Sequence, residues 1–164
     1  MSSLTMNDAR LIEVQSHFAH NIPPLNDLLK CVLYGNECNA PLLVDVPVLS
    51  ELEFALDIAD LFVPVWFRPP LQPFPAVVYK FHTVEHFRGF VLPVTYVFVF
   101  VDDTLTTTQH PINVLLERMT PSHNPVRGSV LVCKRTVYGD FIPMEEADIN
   151  LVDLLLESYI RSLE

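Results

Sequence analysis

Glycine is scarce in this chain, with four residues in 164. That argues against a glycine-rich phosphate cradle, whose glycines let backbone N–H groups approach the phosphates, and no such loop stands in the sequence. Cysteine is sparse too. Cys31, Cys38 and Cys133 form an odd set, and Cys31 and Cys38 lie too far apart for a zinc knuckle. They read as reduced thiols, which points to a cytoplasmic or nuclear protein, not a secreted one. The opening "MSSLTMNDAR" has no apolar stretch of the kind a signal peptide needs. Bases are few and scattered: 10 Lys and Arg stand against 20 acids, for a net charge of −10. Phosphate-rich partners want clustered cations, so nucleic acid and anionic membranes are excluded as partners. No apolar run is long enough to span a bilayer as a helix. The longest, "FVLPVTYVFVFV" from Phe90 to Val101, has twelve residues and contains Pro93.

Apolar residues, by contrast, are abundant. Half of the chain is hydrophobic, mean hydropathy is +0.31, and only 18% of residues are charged. The length fits a single domain, 1–164, with a sizeable core. Apolar surface in excess of that core is expected to be covered by a second copy or another protein, because large exposed apolar patches are uncommon on monomers.

Hydrophobic periodicity predicts helices at the start and end and strands between them. A first helix follows Asp8, with Leu11, Val14 and Phe18 on one stripe. A second follows Pro23 and Pro24, with Leu25, Leu28, Leu29 and Val32 inward, and stops at Gly35 and Asn36. In a third, Ser50 and Glu53 form a capping box and Leu52, Ala55, Leu56, Ala59 and Phe62 repeat at helical spacing. A short helix begins at Pro111 and carries "INVLLERM". The last spans about 145–163, with an apolar stripe of Ile149, Val152, Leu155, Leu156, Tyr159 and Leu163. "AVVYKF", "VTYVFVFV" and "SVLVCKRTVY" are rich in β-branched and aromatic residues and read as strands. "PLLVDVPVL" reads as an edge strand or loop because of Pro47. The fold class expected is α+β: N-terminal helices, a central mostly antiparallel sheet and a C-terminal amphipathic helix. Five of the fourteen prolines fall in "VPVWFRPPLQPFP". This stiff segment, 63–75, would join a helical subregion, 8–62, to a β-rich region, 76–164.

Three stretches carry motif-like chemistry. "HTVEH" has the letter order of a class of zinc peptidases, with His82 and His86 as ligands and Glu85 as base. Those roles require a helix. In an extended chain the two histidines sit ~13 Å apart, and the β-like lead-in and Gly89 favour a turn at a strand end. His17 and His20 of the first helix are the candidate further ligands. The second stretch, "VFVDDTLT", resembles the first motif of haloacid-dehalogenase phosphatases. It places Asp102 on the acid/base aspartate but Phe100 where the nucleophilic aspartate belongs, and a phenyl ring cannot attack phosphorus. Asp102 and Asp103 then end a strand in a polar turn. The third, "PLQP" in the proline segment, fits P-x-x-P with Arg68 misplaced for the usual ligand. Beside it, Trp66, Phe67, Arg68 and Pro70 combine residue types enriched at interface hot spots with a rigid backbone.

Cys133 lies in an apolar strand and is expected to be an inert core thiol. No stretch assembles a coherent catalytic set. The function expected is a non-catalytic protein–protein interaction domain that self-associates, with Trp66, Phe67, Arg68 and Pro70 in contact and no cofactor. The alternatives are a zinc-dependent hydrolase built on His82, Glu85 and His86, and a carrier of a small apolar ligand in a Phe/Val-lined pocket.

Overall fold

A computed structural model describes residues 27–36, 38–48, 79–102 and 110–164 of the chain. Six strands and two helices fall within them: β1 (Asp27–Tyr34), β2 (Leu42–Val48), β3 (Tyr79–Phe87), β4 (Phe90–Val101), α1 (Val114–Met119), β5 (Val130–Arg135), β6 (Phe141–Ile142) and α2 (Ile149–Ser162). The strands form one sheet in the order β2-β1-β5-β4-β3, with antiparallel pairing throughout. The short β6 pairs with β5 beyond the reach of β1 and so continues the same edge of β5. This is the α+β arrangement with a mostly antiparallel sheet and a C-terminal helix.

One predicted helix is a strand. Leu28, Leu29 and Val32 fall at helical spacing, yet Asp27–Tyr34 is β1, hydrogen-bonded to β2 on one side and β5 on the other. Toward its C-terminal end it is buried on both faces, Val32 and Tyr34 to one side and Leu29, Cys31 and Leu33 to the other, while Leu28 and Lys30 are exposed. Such a strand shows no alternation of polar and apolar residues, so its pattern alone does not separate it from a buried helix. The other two N-terminal helices expected, and the proline segment 63–75, lie outside the described residues. As expected from Pro47, β2 lies at an edge of the sheet among the described residues.

The helices cover one face of the sheet. Val32, Tyr34, Tyr96, Phe98, Phe100, Val130 and Val132 meet Leu115 and Leu116 of α1 and Val152, Leu155, Leu156 and Ile160 of α2 in a single apolar core. Ile160 belongs to this stripe, whereas Leu163, expected in it, is half-exposed at the helix end. On the opposite face Cys31, Val44, Val46, Val97, Val99, Leu131 and Cys133 are also buried. Cys31 and Cys133 stand next to one another across β1 and β5, and burial, followed by the Cys133 side chain, pushes the Cys31 thiol well up. A thiol held protonated in this way is a poor nucleophile, in keeping with a packing role.

The short helix starts later than Pro111 suggests. Ile112 bridges to Arg127 and Asn113 caps α1, its Oδ1 accepting from the Leu116 N–H at 3.1 Å. A single 3₁₀ turn, Glu146–Asp148, leads into α2, and Glu145 and Asp148 form a reciprocal capping box.

β3 and β4 are joined by Arg88 and Gly89, both at positive φ (50° and 83°). Two left-handed residues make the two-residue turn whose twist matches that of the strands. Nothing lies within 4 Å of a Cβ built on Gly89, so substitution there meets only backbone strain. Gly89→Ala is expected to cost about 1 kcal/mol, measured by urea unfolding.

Candidate functional site

All five residues of "HTVEH" lie inside β3, and the chain turns only at Arg88 and Gly89. The turn expected at this stretch is therefore displaced, and the helix that a zinc peptidase site requires is replaced by a strand. The register with β4 breaks between Val84 and His86, where Glu85 stands opposite Leu92–Thr95. Pro93, which has no N–H for the ladder, falls within that break. The imidazole of His82 turns toward α2 and stacks on the Tyr159 ring, with centroids 4.2 Å apart. Burial lowers its pKa. His86 shares a shallow groove of about 190 Å³ with His82, Phe87, Leu155 and Tyr159, while Glu85 is exposed. Among the described residues no group of three His, Cys, Asp or Glu side chains is placed to hold a metal ion. His17 and His20 lie outside those residues, as do Trp66, Phe67, Arg68 and Pro70.

The aspartate stretch also resolves into packing. Phe100 is a buried core residue in edge-on contact with Phe98, and Asp102 follows the last residue of β4. Asp103 lies outside the described residues.

Two features of the surface were not foreseen. The first is an apolar end of the sheet. Phe90 and Val91 at the tip of the β3–β4 hairpin are 76% and 74% exposed, and Val137 and Tyr138 in the β5–β6 turn are 71% and 90% exposed. The pairing of Thr95 with Arg135 places both turns at the same end, beyond that pair. Phe81, 51% exposed, lies further along β3. That strand closes the sheet, and its outer edge has no strand beside it among the described residues. The sequence cues were local: "FRGF" and "VYGD" put large apolar residues directly beside turn glycines.

The second is a cavity of about 330 Å³ at the opposite end of β4, between β3, β4, the C-terminal end of α2 and the segment 124–127. Phe100, Val126, Tyr159 and Leu163 supply apolar walls, and Lys80 and Arg127 bring positive charge. The Lys80 ammonium lies 6.0 Å from the centroid of the Phe100 ring, and Arg127 Nη1 donates to the carbonyl of His110 at 3.2 Å. Burial raises the Tyr159 phenol, which therefore keeps its proton as a donor. Lys80, Arg127 and Tyr159 come from three distant segments, so no local motif announces them.

No helix among the described residues is long and apolar enough to cross a membrane. Comparison with known protein families, with curated proteins and with solved structures finds no match for this chain.

Proposed function

We propose that the protein is a non-catalytic protein–protein interaction domain that pairs with a second copy of itself through the β3–β4 hairpin. The exposure of Phe90, Val91, Val137 and Tyr138 at one end of the sheet carries this reading. Aromatic residues and neighbours of this size, grouped and unsatisfied by the fold, are what association buries. A second copy is favoured as the occupant because an antiparallel edge with no neighbour among the described residues can pair with itself about a two-fold axis, each β3 completing the other. Phe81 on that edge would be covered in the same step. Trp66, Phe67, Arg68 and Pro70 are proposed as a further contact of the same chemical type.

Size-exclusion chromatography with light scattering tests the proposal. The dimer mass is expected at micromolar concentration, and the double variant Phe90→Ser, Val91→Ser is expected to raise the dissociation constant tenfold or more, a loss of about 1.4 kcal/mol or greater. A wild-type chain that remains monomeric across that range, or a variant that dimerises as tightly as wild type, defeats the reading.

A further inference from the structure

The cavity at the C-terminal end of α2 combines an apolar interior with positive charge. In a chain with only 10 basic residues against 20 acids, two of the bases, Lys80 and Arg127, line this one cavity. No acidic side chain stands among its described lining residues. Two acids adjoin lining residues in sequence, Asp102 after Val101 and Glu164 after Leu163; neither lines the cavity, and Glu164 accepts from the His123 N–H at 3.1 Å. The volume of about 330 Å³ lies at the small end of the range for organic ligands, roughly 300–1,000 Å³.

The charged groups are both cationic donors, an ammonium and a guanidinium, and beside them the Tyr159 phenol and the Asn124 amide can each donate as well. Arg127 donates Nη1 to the His110 carbonyl, which fixes the plane of its guanidinium at the cavity wall. Phe100 and Tyr159, with ring centroids 5.3 Å apart, form an aromatic wall beside them. A neutral apolar ligand would leave these donors facing hydrocarbon, and a cation would be repelled. A phosphate would match the donors and waste the apolar walls. We propose that this cavity binds a small organic carboxylate with an apolar tail, the carboxylate between Lys80 and Arg127 and the tail against Phe100, Tyr159 and Leu163. The site lies at the opposite end of β4 from the hairpin tip.

The probe is decanoate, with decanol as its uncharged counterpart, titrated below the micelle concentration into the full chain and followed by ¹H–¹⁵N NMR. Decanoate is expected to give saturable shifts at residues 80, 100, 126–127 and 159–163 and to bind about tenfold more tightly than decanol, the difference that one charge-assisted contact provides. Lys80→Gln replaces an exposed side chain and leaves the fold intact; it is expected to bring decanoate down to the affinity of decanol. Arg127→Gln is expected to weaken decanoate in the same direction. Equal affinity for the two probes, shifts centred on residues 90–91, an unaltered decanoate affinity in Lys80→Gln, or no saturable shift with wild type would each overturn the proposal.

Discussion

Asn113→Ala is expected to lower the stability of the protein by about 3–4 kcal/mol, the largest effect of any single polar substitution argued for this fold. Asn113 is fully buried and uses its whole amide. Its Oδ1 caps α1 by accepting from Leu116 N–H, while Nδ2 donates to the carbonyls of Tyr34 at 2.8 Å and Gly128 at 2.9 Å. One side chain thus joins the end of β1, the start of α1 and the loop before β5. Losing a cap alone costs about 1 kcal/mol. The remainder comes from two carbonyls stripped of a donor in a site closed to water, each worth roughly 1–3 kcal/mol. Asn113→Asp separates the two contributions. It keeps an acceptor for the Leu116 amide but removes both donated bonds and buries a charge against two carbonyl oxygens. If capping were the whole role, Asp would be tolerated. It is expected to be at least as damaging as Ala, with the denaturant midpoint of both variants well below that of wild type. A loss under 1 kcal/mol for Ala would show that the junction is not held by this amide.

The same residue shows what local pattern carries and what it does not. The strands β4 and β5 were legible because their Val, Phe and Leu residues run continuously, as burial on both faces demands. The last helix was legible from its amphipathic stripe, and β2 from the edge preference of Pro47. β1 was misread because Leu28, Leu29 and Val32 suit a helix as well as a strand, and only pairing with β2 and β5 decides between them. Asn113 looked like an interior position of a helix starting at Pro111. Its reach to Tyr34 and Gly128 depends on segments that no local window contains. The turn after β3 was legible from Gly89 but placed too early, on the "HTVEH" stretch, because Arg88, its other left-handed residue, gives no local signal. His82 and His86 were read by letter order, and the strand then set their directions: His82 against Tyr159, His86 along the same groove. The cavity lined by Lys80, Arg127 and Tyr159 is a product of topology, since β3, the loop before β5 and α2 meet only in the folded chain.

Asp148→Asn is expected to cost about 2–3 kcal/mol at neutral pH, with a penalty that shrinks in acid. The carboxylate of Asp148 ties the start of α2 to two strands. It pairs with Lys134 Nζ of β5 at 2.7 Å, accepts from the Tyr96 hydroxyl of β4 at 3.1 Å, and accepts from the Glu145 N–H at 2.7 Å. The ion pair is largely shielded, with 13% and 14% of the two side chains exposed. Removing the charge leaves Lys134 with a weakened partner in a partly dehydrated site. Burial alone would raise the Asp148 pKa, but Lys134, the Glu145 amide and Tyr96 outweigh it and hold it below the usual aspartate value. Burial and then the Asp148 carboxylate push the Tyr96 phenol up to about 12, so the hydroxyl remains a donor across the physiological range. Because the folded pKa of Asp148 lies below the unfolded one, its contribution is fully present above about pH 5 and is lost as pH falls through the ordinary value near 3.9 toward the folded one. Urea unfolding of wild type and Asp148→Asn should therefore show a constant gap from pH 7 to about pH 5 and a narrowing gap below it. The folded state binds fewer protons than the unfolded state in that window, so wild-type stability falls with acid more steeply than that of the variant. A gap independent of pH would mean that the carboxylate acts only as a neutral hydrogen-bond acceptor. A gap that widens in acid would place the folded pKa above the unfolded one and contradict the role of Lys134.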